Sequence, residues 1–94
     1  MNRENILNFL SSHKAEIETN FLVSKIGLFG SYAINQQRED SDIDIIVSMP
    51  SNFDLYYDLK EYLENQFNKP VDLGLEKNIR ELVMQNIKDE ILYV

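Results

Sequence analysis

The sequence contains no cysteine, which removes disulfides and thiolate metal sites from consideration. No stretch approaches the roughly 20 apolar residues that a membrane-spanning helix requires. The opening Met1-Asn2-Arg3-Glu4-Asn5 is not followed by an apolar run, so it does not read as a secretory signal. Internal repeats, low-complexity tracts and linkers are also missing. Basic residues are scarce: 9 Lys and Arg stand against 16 Asp and Glu, for a net charge of −7. Proteins that bind nucleic acid directly draw most of their affinity from a basic footprint on phosphate, and this chain has none. The same deficit argues against docking on an anionic membrane surface. Histidine occurs once, as His13, which is expected on a solvated helix face and is a poor candidate for a general base. These absences predict a cytoplasmic protein with neither nucleic acid nor membrane as a direct partner.

What is present suits a soluble globular chain. Hydrophobic residues make up 44% of the 94 positions and charged residues 27%, and the length predicts one domain over 1–94 with a modest core. Ile6, Leu7 and Leu10 recur at helical spacing and predict a helix over Asn2 to Ser12, with a second or a bent continuation over His13 to Phe21. The apolar-rich run from Leu22 to Phe29 predicts a first strand, ended by Gly30-Ser31. A helical turn at Tyr32 to Ile34 and a polar loop from Asn35 to Ser41 follow. Asp42 to Val47, rich in β-branched residues, predicts a second strand. After Met49-Pro50-Ser51-Asn52, a helix capped by Ser51 or Asn52 carries Leu55, Tyr56, Leu59, Leu63 and Phe67 on one face. Pro70 introduces a third strand over Val71 to Leu75, and Ile79, Leu82, Val83, Ile87 and Ile91 predict a last helix. The expected class is α+β, a small mixed sheet of about three strands flanked by helices.

The acids on these strands carry the chemistry. Side chains alternate along a strand, so Asp42 and Asp44 share one face, about 7 Å apart along the backbone, while Ile43, Ile45 and Val47 take the other. Asp is disfavoured in strands, and two like charges on one face repel. A divalent cation converts that repulsion into attraction, and all-oxygen ligands suit Mg²⁺ or Mn²⁺. Asp72 repeats the anomaly inside Val71 to Leu75, where a buried acid is costly unless paired or bound to metal. With the third strand beside the second, Asp42, Asp44 and Asp72 would face one pocket and match a two-metal site. Gly30-Ser31 supplies a complementary element: a glycine directly after a strand permits close backbone approach, and the amides and hydroxyl that follow suit phosphate. Each feature alone has a plainer explanation. A Gly-Ser after a strand is a common turn, Asp42 can be a loop residue or cap, and Asp72 can mark the edge of an exposed strand. Their combination, with Asp44 set among isoleucines, favours a functional site.

Those residues resemble a known family. Gly30-Ser31-Tyr32-Ala33 followed by Ser41-Asp42-Ile43-Asp44-Ile45-Ile46-Val47 is similar to the signature of the polymerase-β-type nucleotidyltransferases, and in particular of their minimal nucleotidyltransferase branch in prokaryotes. Val71-Asp72-Leu73 resembles the strand that bears the family's third carboxylate, and Ile87 to Val94 is similar to the end of such chains. The resemblance implies the minimal nucleotidyltransferase fold. It further implies catalytic and metal-ligating roles for Asp42, Asp44 and Asp72, nucleotide binding by Gly30 and Ser31, two Mg²⁺ ions as cofactors and ATP as substrate. One departure stands out: Ile34-Asn35 occupies the place of the family's Arg-Gly, which removes a cation, with Arg38 as a substitute. Asn tolerates the left-handed conformation better than most residues, so the turn is expected to persist.

Many members of this branch act as antitoxins to a HEPN-domain ribonuclease. The resemblance implies transfer of AMP from ATP to a tyrosine of such a toxin, within a hetero-oligomer to which an acidic antitoxin brings charge complementary to an RNA-binding partner. Two rivals remain. A decayed transferase would neutralise its partner by docking alone, and a transferase for a small molecule or an RNA end would need an acceptor domain for which this chain has little room.

Overall fold

The computed structural model describes every residue from Met1 to Val94 and contains one mixed sheet in the order β3-β2-β1-β4. The strands are β1 (Lys25–Phe29), β2 (Ile43–Ser48), β3 (Val71–Leu75) and β4 (Leu92–Tyr93). The helices are α1 (Arg3–Ser12), α2 (Lys14–Phe21), the single turn α3 (Gly30–Ala33), α4 (Phe53–Phe67) and α5 (Glu81–Ile87). β1 runs antiparallel to both β2 and β4, whereas β2 and β3 are parallel. The parallel pair requires a crossover, and α4 provides it.

Alternation along β2 divides the sheet into two faces. Ile43, Ile45 and Val47 are fully buried against the helical layer, where Ile6 and Leu10 of α1, Ile17 of α2 and Leu59, Leu63 and Phe67 of α4 meet them in the main core. The opposite face carries Asp44 and Ile46. Ile46 and Ile91 are buried but stand apart from the main core. Gly27, paired with Ile46, lies under Ile91 and Tyr93, so close that a side chain at Gly27 would stand 2.9 Å from Ile91 Cγ2. The C-terminal segment therefore roofs part of the second face and leaves the Asp44 end open.

Local chemistry sets several boundaries. Asn2 caps α1 by accepting from the Asn5 N–H at 2.9 Å, and Asn52 caps α4 by accepting from the Leu55 N–H at 3.1 Å. Asn52→Ala is expected to cost about 1 kcal/mol, read as a lower denaturant midpoint with an unchanged slope. Leu22 (φ 56) and Asn68 (φ 54) end α2 and α4 in the left-handed conformation. That reversal explains why β1 starts at Lys25 rather than at the expected Leu22. β2 starts at Ile43, which leaves Asp42 just outside the strand. Val71–Leu75 is a strand as expected.

The C-terminus departs most from expectation. The stripe Ile79, Leu82, Val83, Ile87 and Ile91 reads as one helix, yet α5 holds only its central part. A 3-10 turn at Glu76–Asn78 leaves Ile79 extended, and a second at Lys88–Glu90 leaves Ile91 extended. Leu92–Tyr93 then adds a fourth strand to the expected three, because the free edge of β1 offers hydrogen bonds at Ile26, whose carbonyl accepts from the Val94 N–H at 3.1 Å, and at Leu28, paired with Leu92. Leu82 and Val83 are consequently 76% and 46% exposed instead of packed. No helix is long and apolar enough to cross a membrane.

Candidate active site

The site forms where the C-terminal end of β1 meets the N-terminal ends of β2 and β3. Asp44 pairs with Phe29 of β1 on one side and with Asp72 of β3 on the other. Residues opposite each other in a sheet project to the same face, so the register brings together two acids that lie 28 positions apart in the chain. Asp42 precedes the strand and is exposed. It is still close enough for its charge to act on Asp44. Asp72 is also exposed, which corrects the expectation of a buried acid: β3 is an edge strand, and its outer face is open. Desolvation falls on half-buried Asp44 instead.

The Asp44 carboxyl is pushed up from 3.8 to about 6 by burial first, then by the charges of Asp72 and Asp42, and by a hydrogen bond to the Asp72 side chain that favours its protonated form. No three acidic or histidine side chains converge tightly enough to hold an ion unaided. The expected three-carboxylate cluster is therefore a close pair, Asp44 and Asp72, with Asp42 beside it. Mg²⁺ generally takes one or two carboxylates and completes its shell with water and substrate phosphate. A half-buried carboxyl driven towards protonation by like charge, in an all-oxygen donor set, fits such a cation.

The raised value has a measurable consequence in metal-free protein. Below pH 3.8 Asp44 is protonated in both the folded and the unfolded chain and costs nothing. Between 3.8 and about 6 the unfolded chain loses the proton while the folded one retains it. Stability thus falls as pH rises through this window and levels off above it. Two pH units correspond to about 3 kcal/mol at most, reduced to on the order of 1 kcal/mol by solvent screening of a half-exposed group. Melts in chelator from pH 3.5 to 7.5 are expected to show this loss in wild type relative to Asp44→Asn.

Gly30 is needed by its backbone and by its neighbour. Its φ is +73, and an added Cβ would stand 2.8 Å from the Asp44 carboxyl carbon. Sequence reasoning anticipated close approach after the strand; the group that approaches is Asp44 itself, for which the sequence held no signal. Ser31 follows in the first turn of α3 and is half-buried. Asn35, at the departure from the family motif, adopts φ +58, so the expected left-handed turn is present without glycine. The Gln36 N–H donates to the Ser31 carbonyl at 2.8 Å and closes the segment. Arg38 is exposed; its backbone N–H donates to Ser41 Oγ at 2.8 Å, and with Tyr32 and Lys69 it borders a shallow basin of about 250 Å³. His13 is not on a freely solvated face. Its Nδ1 lies 2.9 Å from the Phe9 carbonyl and its ring stacks on Phe9 at 4.1 Å, a structural role.

A profile of the nucleotidyltransferase domain matches residues 10–94. The chain belongs to the nucleotidyltransferase family. Among its relatives is the protein adenylyltransferase MntA of Thermococcus cleftensis, 36% identical over 93 residues that span 97% of this chain and 94% of that protein. Among solved structures, a minimal nucleotidyltransferase superposes with a TM-score of 0.82 at 22% identity, over 98% of this chain and 95% of that one. The α+β fold expected from the sequence is thus the minimal nucleotidyltransferase fold. A chain from a toxin–antitoxin crystal structure with AMP-PNP matches with a TM-score of 0.63 at 26% identity, over 90% of this chain and 65% of that chain. This nucleotidyltransferase carries the Gly30-Ser31 segment and the Asp42, Asp44 and Asp72 carboxylates within the matched span.

Proposed function

We propose that this nucleotidyltransferase is an antitoxin that transfers AMP from ATP to a tyrosine of a HEPN ribonuclease toxin in a Mg²⁺-dependent reaction. The observation that carries the reading is the Asp44-Asp72 pair held against Gly30 at the open end of the sheet. The family relation to a protein adenylyltransferase and the likeness to a toxin–antitoxin chain crystallised with AMP-PNP support it.

Asp42, Asp44 and Asp72 would hold up to two Mg²⁺ ions, with Mn²⁺ as an alternative; the ions supply charge neutralisation on the triphosphate. The Gly30 and Ser31 amides and the Ser31 hydroxyl orient the phosphates. The tyrosine oxygen of the acceptor attacks the α-phosphorus in line, a P–O bond to tyrosine forms, and the bond to pyrophosphate breaks. Asp72, exposed on the edge strand, would take the tyrosine proton. The adenylylated tyrosine gains bulk and negative charge, which obstructs a site built to bind RNA phosphates. The net charge of −7 suits a basic, RNA-cleaving partner.

Incubation of the two purified proteins with ATP and Mg²⁺, followed by intact mass measurement of the partner, tests the reading. The expected result is a gain of one or more AMP groups, lost in chelator and with Asp42→Asn. Full inhibition of the ribonuclease by wild type and Asp42→Asn alike, without any gain in mass, would overturn it in favour of a docking-only antitoxin.

A further inference from the structure

We propose that the free edge of β3, together with the aromatic groove beside it, docks the acceptor protein through an extended basic segment that adds as a fifth strand and carries the acceptor tyrosine opposite Asp72. The proposal rests on the reading of this enzyme as a protein adenylyltransferase and concerns how it holds its acceptor.

The ladder defines which groups are free. The Ile43 N–H donates to the Pro70 carbonyl at 3.0 Å. In a parallel pair this fixes the alternation, so Asp72 and Gly74 turn their backbone groups to β2 while Val71, Leu73 and Leu75 turn theirs outward. Two contacts agree with that assignment. The Val71 N–H donates to the Glu64 carboxylate at 3.0 Å, and the Tyr56 hydroxyl donates to the Leu73 carbonyl at 2.5 Å. Both partners come from α4 and shield the edge there. They leave the Leu73 N–H and both backbone groups of Leu75 turned outward on a strand with no neighbour on that side.

A groove of about 440 Å³ runs along this stretch, between Leu73 and Leu75 on one wall and Phe53, Tyr56 and Tyr57 on the other. Phe53 and Tyr57 are 77% and 50% exposed and contact each other at 4.9 Å between ring centres. Large aromatic side chains left open beside an unpaired edge suit a strand-adding peptide, whose backbone pairs with the edge while alternate side chains enter the groove. Charge specifies the occupant. Asp54 and Asp58, both exposed, flank the two rings on α4, and Asp72 sits on the edge strand itself. Arg or Lys side chains gain ion pairing with the acids and cation–π contact with the rings.

Sheet geometry then connects the groove to the active site. Neighbouring strands lie about 4.8 Å apart, and facing residues project to the same side. A residue paired beside Asp72 therefore presents its side chain on the carboxylate face, next to Asp44. Its immediate neighbours in the segment project to the opposite face, where the groove lies. One bound strand thereby delivers the tyrosine to the carboxylates and its flanking basic residues to the aromatic wall.

Hydrogen exchange on the complex with the HEPN ribonuclease, together with steady-state kinetics, tests the proposal. The Leu73 and Leu75 amides should exchange markedly more slowly in the complex than in the free enzyme. The exposed pair Phe53→Ala/Tyr57→Ala should raise the KM for the acceptor about tenfold or more, as loss of aromatic anchors does, with the KM for ATP unchanged. Leu75→Pro removes one outward N–H at a residue whose φ of −89 is close to the proline range, and should weaken acceptor binding in the same direction. Transfer that proceeds with unchanged exchange at Leu73 and Leu75, or protection confined to α5, would overturn the strand-docking proposal and leave the transferase reading standing. Weakened ATP binding with an unchanged KM for the acceptor would overturn it in favour of a nucleobase pocket. Protection at β3 without any gain of AMP by the partner would support the docking site and sink the transferase reading, and absence of any complex would sink both.

Discussion

Asp44→Asn is expected to abolish nucleotide transfer, by on the order of a thousandfold or more, while leaving the chelated protein at least as stable as wild type. Asp44 carries the desolvation burden of the site: burial and the charges of Asp72 and Asp42 raise its carboxyl to about 6. At neutral pH the ionised side chain therefore costs the fold free energy that a neutral amide of nearly the same shape does not. The gain on substitution should be on the order of 1 kcal/mol after allowance for solvent screening, visible as a higher melting temperature in chelator above pH 6. Addition of Mg²⁺ and ATP should reverse the order, since only wild type gains stability from a ligand bound to the native state. A large loss of stability in chelator would instead identify Asp44 as a structural hydrogen-bonding residue.

Gly30→Ala is expected to damage both fold and activity. The φ of +73 costs a residue with a Cβ about 1–2 kcal/mol, and the new methyl would stand 2.8 Å from the Asp44 carboxyl carbon and displace that side chain. A shift of about an ångström at a reacting group is enough for a hundredfold loss in rate. Gly74→Ala is the appropriate control. It lies in β3, two positions from Asp72 and on the same face, where the nearest contact for an added Cβ is the Ile45 carbonyl at 3.9 Å. Comparison of the two by melting and by transfer rate separates a local clash from general intolerance of alanine in this sheet. Equal activity of Gly30→Ala and wild type would show that Asp44 need not occupy the position described.

The sequence by itself determined the elements whose signal is local. The period-two alternation around Ile43 to Val47, the Asn52 cap with its apolar stripe and the short run after Pro70 all appear as expected, because each is encoded within a few residues. It also put Asp44 at the entry of the second strand and Asn35 in a left-handed turn, whereas Asp42 falls just outside a strand that begins at Ile43. Only the tertiary structure decided what depends on contacts between distant segments. The register of β2 against β3 sets Asp44 beside Asp72, and no local pattern encodes a register between strands joined by a helix. The edge position of β3 leaves Asp72 exposed, so the cost of burial rests on Asp44. The free edge of β1 draws Leu92–Tyr93 into a fourth strand, which overrides a helical stripe that continued through Ile91. Backbone hydrogen bonds left open at a sheet edge are satisfied by whichever segment can reach them, and that is a property of the assembled sheet rather than of the segment's own periodicity.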